Sequence, residues 1–277
     1  MILMAGEQVI HALRSLMPHI LVCLACGMLF CLGPRTNPQH FNSMQPMRTL
    51  LLCSLLSFSS CATQSPAPEA SVRAGVNERF LDPELNVAEY VELFEGESRE
   101  IAVHREAIVA ALKIQTGSRV ADIGAGTGLF MDSLAQAVGS EGKLVAVEIS
   151  TGFLKHLEER AQEAGYTQVE VALCSERSVE LAPESIDLAF ICDTYHHFEY
   201  PNSTMTSLRR ALRPGGRLVV IDFDRIEGVT RQWMLDHVRA SKQVFRSEIE
   251  AAGFVFTGEL SVPGLSENYM LQFRRLD

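Results

Sequence analysis

The segment Ser118 to Phe130, SRVADIGAGTGLF, sets Gly124, Gly126 and Gly128 at every second position between a short apolar run and an apolar-periodic one. Lacking a Cβ, glycine reaches open backbone conformations and lets a ligand approach the main chain, while the N–H groups that begin a helix favour polar or anionic partners. Such a loop is a nucleotide-cofactor cradle. Its spacing discriminates between cofactors: a dinucleotide fingerprint G-x-G-x-x-G needs a glycine at position 129, where the chain has Leu129. Glu148 stands 20 residues beyond Gly128, at the end of the run KLVAVE, where a carboxylate can accept both hydroxyls of a ribose. Asp193, Tyr195, His196 and His197 follow a further apolar run, IDLAFIC. Histidine titrates near neutral pH, so this cluster offers a candidate general base, His197 or His196, with Asp193 to orient it or to contact a ligand.

These residues need a scaffold that brings them together. Strands are expected at 119–123, 143–148, 169–174, 186–192 and 217–222, alternating with helices whose apolar positions repeat at helical spacing. That alternation is the pattern of a parallel sheet covered on both faces. Phe130, Leu134 and Val138 mark one helix face, closed by Gly139; Leu154, Leu157 and Ala161 mark another, closed by Gly165; Met205, Leu208 and Leu212 mark a third, stopped by Pro214-Gly215-Gly216. Ile101, Ile108 and Leu112 place a helix before the first strand, and FVFTGEL with NYMLQFRR reads as a terminal hairpin. Ligands of open sheets bind outside the carboxyl ends of the strands. Asp122, Glu148, Cys174 to Glu176, Cys192 to His197 and Asp222 to Asp224 all fall at that end.

Taken in order, VADIGAGTG, VAVE, IDLAFICDTYHHF and LRPGGRLVVIDF resemble the class I S-adenosylmethionine-dependent methyltransferases over residues 85–277. The resemblance implies an α/β fold, a doubly wound, seven-stranded, mostly parallel Rossmann-like sheet with an antiparallel last strand. It implies S-adenosylmethionine as cofactor and a small-molecule acceptor. Asp122 and the glycine loop would meet the methionine part, Glu148 the ribose, Ser175 or Glu176 the adenine edge, with Cys192 also in the cofactor set. Many relatives have Gly-Asp where this chain has Cys174-Ser175. The segment before the first strand folds over the cofactor in such enzymes, which would bring Phe94, Ser98 and Arg99 to it. Asp193-x-x-His196-His197 has the spacing of the Glu-x-x-Glu-His of ubiquinone-pathway O-methyltransferases, with His in place of the second Glu; no metal is expected. His237, in WMLDHVRASK over the pocket, could face substrate. A membrane-tethered protein that only binds the ligand, and a dinucleotide oxidoreductase, are the competing readings.

The chain of 277 residues is 47% hydrophobic with a formal charge of −10, and residues 1–61 hold only Glu7 against Arg14, Arg35 and Arg48. The acidic excess therefore belongs to the rest of the chain, and nucleic acid is not an expected partner. Residues 1–61 read as a hydrophobic leader: MRTLLLCSLLSFSSC resembles a bacterial lipoprotein signal, with Cys61 as the lipidated residue and the protein held at a membrane or exported. ATQSPAPEASVRAG begins an expected flexible tether, 62–84. Cys174 and Cys192 lie at strand ends that the family's strand order separates by two strands, so no bridge between them is expected.

Overall fold

The computed structural model describes residues 68–96 and 99–277. The leader, Cys61 and Ser98 lie outside the described residues. Among the described residues, eight α-helices and seven strands follow in order: α1 (Val87–Glu95), α2 (Glu100–Val103), α3 (Arg105–Leu112), β1 (Arg119–Ile123), α4 (Met131–Val138), β2 (Lys143–Glu148), α5 (Thr151–Glu163), β3 (Val169–Leu173), β4 (Ile186–Cys192), α6 (Pro201–Ala211), β5 (Leu212–Phe223), α7 (Gln232–His237), α8 (Lys242–Ala251), β6 (Phe254–Glu259) and β7 (Asn268–Arg275). The strands form one sheet in the order β3-β2-β1-β4-β5-β7-β6. Pairs from β3 to β5 are parallel, while β7 runs antiparallel to both β5 and β6. This is the seven-stranded, mostly parallel sheet with the antiparallel end that the resemblance implies.

Strand side chains alternate between faces, and the two cores follow that period. Ala121, Ile123, Val147, Ala189, Ile191 and Val220 face one way, onto Met205 and Leu208 of α6 and Phe245 and Ile249 of α8. Val120, Leu144, Ala146, Leu188, Phe190 and Val219 face the other, onto Ile108 and Leu112 of α3, Leu134 and Val138 of α4 and Leu157 of α5. Both sides of the central strands are thus dry, which explains why KLVAVE and IDLAFIC are continuously apolar rather than alternating.

Leu212, expected on a helix face with Met205 and Leu208, opens a strand instead, and two of the differences from the sequence expectation have local reasons. The fifth strand starts at Leu212 instead of 217, because Leu212 pairs with Ile186 before Pro214-Gly215-Gly216 bulges out and pairing resumes at Arg217 with Leu188. The stretch 68–84, expected within the tether, packs on the domain. Val72 N–H donates to the Glu199 carbonyl, and Asn77 donates to the His197 carbonyl at 3.1 Å. Phe80 is buried, with its ring edge-on to His197. Glu69 accepts the first free N–H groups of α6, from Asn202 at 2.8 Å and Ser203 at 2.7 Å, a favourable place for a carboxylate. Cys174 and Cys192 are free thiols, separated by β2 and β1.

Candidate active site

A cavity of about 630 Å³ opens at the carboxyl ends of β1, β2, β4 and β5, within the size of small-ligand pockets. Asp122, Gly124, Gly126, Glu148, Ser175, Glu176, Cys192, Asp193, His196 and His197 all line it. Gly128 and Tyr195 do not. All three loop glycines have positive φ, yet each solves a different problem. A Cβ on Gly124 would come within 2.2 Å of Thr194, and one on Gly128 within 2.9 Å of Leu157, so these two let the loop pack against the chain after β4 and against α5. On Gly126 it would meet nothing closer than Phe94 at 3.7 Å. Gly124 and Gly126 both line the cavity, and of the three glycines Gly126 has the open space beside its backbone.

Glu148 fastens that loop. Its carboxylate accepts N–H bonds from Gly126 (2.8 Å), Ile149 (2.8 Å) and Ser150 (2.9 Å), which holds the end of β2 against the loop that leaves β1. Burial nevertheless pushes its pKa above the usual carboxylate range, the three N–H donors opposing. Asp122 beside it is raised to about 7 by burial, with the Glu148 charge adding to the shift. Thr127 lines the cavity with a buried hydroxyl that has no hydrogen-bond partner among the described residues. Ser175 and Glu176 form part of the opposite wall, and burial lifts the nearby Cys174 thiol to about 12 and pushes the Cys192 thiol well above its usual value, so neither is a nucleophile at neutral pH.

The residues after β4 divide. Asp193, in the left-handed region at φ 48°, turns its carboxylate to Arg99 Nη2 (2.6 Å) and Asn268 Nδ2 (2.6 Å), so it ties the loop before α2 and the start of β7 to the sheet. Tyr195 is fully buried against Phe198 and Phe245, a core residue with no face on the cavity. The carboxylate on the histidines is Asp222, not Asp193: the His196 ring Nδ1 lies 2.7 Å from Asp222 Oδ1, and the His196 backbone N–H donates to Oδ2 at 3.1 Å. His196 Nε2 lies 3.0 Å from Nε2 of His237, on α7. His197 stacks beside both, with its Nδ1 buried and unpartnered. Burial lowers the three imidazoles to about 3 for His196, about 2 for His197 and about 4 for His237, so all are neutral at pH 7. His197 at about 2 is a weak base, which removes the reason for preferring it as the proton acceptor.

Phe94 and Arg99 reach the cavity as the resemblance implies, together with Phe80, Trp233 and His237. Sequence placed Asp222 at the correct end of the sheet without a role. Its pairing with His196 had no local signal, because the two are 26 residues apart.

A family model described as "Methyltransferase domain" matches residues 114–263. Among curated relatives, the ubiquinone/menaquinone biosynthesis C-methyltransferase UbiE of Burkholderia cenocepacia is 25% identical over 118 residues, 43% of this chain and 48% of that protein. An uncharacterized 37.1 kDa protein in transposon TN4556 of Streptomyces fradiae is 30% identical over 117 residues, 42% of this chain and 33% of that one. The chain thus spans half or less of the length of these relatives. Among solved structures, a SAM-dependent methyltransferase from Aquifex aeolicus superposes with a TM-score of 0.61 at 22% identity, covering 68% of this chain and 98% of that one. A structure described as "a putative sarcosine dimethylglycine methyltransferase from Galdieria sulphuraria" gives 0.57 at 17%, covering 69% and 98%.

Proposed function

This chain belongs to the methyltransferase domain family, and from that premise we propose that it transfers a methyl group from S-adenosylmethionine to a small molecule held in the cavity. The observation that carries the reading is the cavity floor. The backbone of Gly126 is bare toward the space, Glu148 is locked beside it by three N–H bonds, and the Thr127 hydroxyl is buried without a partner among the described residues. Those features fit the cofactor. Asp122 and the glycine loop would hold its methionine part, Glu148 its ribose, and Ser175 or Glu176 its adenine.

When bound, S-adenosylmethionine supplies an electrophilic methyl group on a cationic sulfur. The chain's own residues must then align an acceptor and exclude water. Phe80, Phe94, Phe223 and Trp233 make an apolar wall for the acceptor, next to the histidine cluster. Asp222 holds the His196 ring through Nδ1, and burial raises its own carboxyl to about 7, so a proton released by a hydroxyl acceptor would pass through His196 to Asp222. Asp193 and Arg99 keep the segment before α2 against the sheet and so help to close the site.

The similarity to UbiE puts carbon acceptors beside oxygen acceptors in the panel to be tested. The membrane address is part of the proposal: a lipid on Cys61, or the apolar leader itself, would place the domain at a membrane surface. Among the described residues, no helix is long and apolar enough to cross one. The test is calorimetry of the full chain with S-adenosylmethionine, S-adenosylhomocysteine and NADH, followed by radiolabelled methyl transfer to a panel of hydroxyl and carbon acceptors. Tight NADH binding without S-adenosylmethionine heat would overturn the proposal. Donor binding with no transfer to any acceptor would favour the tethered binding protein instead.

A further inference from the structure

The histidine cluster combines three features that proton transfer alone does not require. Its three imidazoles come from two separate elements, the turn after β4 (His196, His197) and α7 (His237), yet one nitrogen of each lies within 4.8 Å of the others. His197 carries a buried nitrogen, Nδ1, with no hydrogen-bond partner among the described residues. His196 has its other ring nitrogen on the wholly buried carboxylate of Asp222 at 2.7 Å, the outer-shell contact that orients metal-bound histidines and raises their basicity. We propose that His196, His197 and His237 bind a divalent transition-metal ion of the Zn²⁺ class at the wall of the cavity, leaving an open position toward the space where the acceptor would sit.

The geometry is close to what such an ion needs. Zn–N bonds of about 2.0–2.1 Å at tetrahedral angles put the nitrogens roughly 3.3 Å apart. His196 Nε2 and His237 Nε2 are already 3.0 Å apart. The remaining separations are no more than 4.8 Å, so a shift of at most about 1.5 Å meets that spacing, and His197 sits on a three-residue 3-10 turn (Tyr195–His197) rather than on a strand. Neutral imidazole is the protonation state that ligates, and it suits Zn²⁺ or Co²⁺ far better than Mg²⁺.

The surrounding charges are mixed. Arg99 is paired with Asp193 and Arg239 with Glu248, while the Asp222 carboxyl stands behind His196. Arg73, whose guanidinium donates to the His237 carbonyl, and Arg79 oppose a cation. The affinity therefore rests on the three nitrogens rather than on the field. Three protein ligands with one open position is the arrangement of catalytic sites, in which the ion binds an oxygen and lowers its pKa. The idea that this oxygen belongs to the methyl acceptor rests on the reading proposed above, whereas the ion site itself does not.

The test uses the full chain purified without a histidine tag. It is stripped with chelator, loaded with Zn²⁺ or Co²⁺, desalted, and assayed for retained metal, visible absorption and S-adenosylmethionine binding on the same samples. One ion per chain is expected, with the visible bands of four-coordinate Co²⁺. His197→Ala and His237→Ala should lose the ion, and Asp222→Asn should weaken it by roughly 10- to 100-fold. Wild-type protein that binds S-adenosylmethionine but retains no ion overturns the site, as does retention unchanged in both histidine variants. If either variant fails to fold, the Co²⁺ spectrum of the wild type decides, since bands of six-coordinate, oxygen-ligated Co²⁺ exclude this ligand set. An ion bound without any S-adenosylmethionine heat would leave the site standing and remove the methyltransferase reading.

Discussion

Replacing Glu148 with Gln keeps the shape of the side chain and removes its charge, which separates its role toward a ligand from its role in the loop. In the wild type the carboxylate accepts three N–H bonds, from Gly126, Ile149 and Ser150, at 2.8–2.9 Å. An amide has a single acceptor oxygen. Kept on Ile149 and Ser150, that oxygen leaves the NH₂ group facing the Gly126 N–H, and one buried donor loses its partner at a cost of about 1–3 kcal/mol. An amide is also easier to bury than a carboxylate, so part of this is offset and the melting temperature should fall by only a few degrees. Ligand binding has no such compensation. Loss of charge-assisted bonds from the ribose hydroxyls removes about 1.5–3 kcal/mol, which raises Kd for S-adenosylmethionine roughly 10- to 150-fold. S-adenosylhomocysteine should weaken by the same factor, because both carry the same ribose. Calorimetry with both ligands beside a thermal melt checks this. A Kd within about threefold of wild type, combined with a lowered melting temperature, would make Glu148 a loop fastener only and refute the assignment.

Three further outcomes test other parts of the site. The folded pKa of Asp122, about 7, lies above the unfolded 3.8, so its contribution to stability is fully present in acid and is lost as pH rises through about 7. Asp122→Asn should therefore melt with the wild type near pH 4 and above it near pH 8, and a lower melting temperature near pH 8 would contradict the burial argument. Gly126→Val should abolish S-adenosylmethionine binding with a modest loss of stability. Gly128→Ala, which puts a methyl group 2.9 Å from Leu157 at φ 86°, should act mainly on stability, and calorimetry paired with melts of both variants would expose any reversal of that order. Glu69→Ala removes the carboxylate at the start of α6 and should cost about 0.5–2 kcal/mol in urea denaturation without changing cofactor affinity; an unchanged midpoint would mean that the segment 68–84 adds nothing to the domain.

Local sequence determined the parts of this protein that rest on short-range physics. Continuous apolar runs marked the central strands because both faces of the sheet are covered, and the glycine spacing marked the loop after β1 because left-handed backbone is costly for other residues. Glu148 was legible for the same reason: a residue at the end of one strand must lie beside the loop that leaves its neighbour. What the sequence alone left undetermined was pairing across the fold. Asp193 stands three residues before His196, yet its left-handed backbone turns the carboxylate to Arg99 and Asn268, and the partner of His196 comes instead from β5. Gly128 looked like a ligand glycine until the helix beside it was in place. His237 reaches the other histidines only because α7 folds back over the carboxyl ends of the strands, and Phe80 covers His197 only because 68–84 lies on the domain rather than hanging free. Spacing along the chain says which backbone a residue can adopt; which side chains share a cavity depends on strand order and helix docking, which no local pattern encodes.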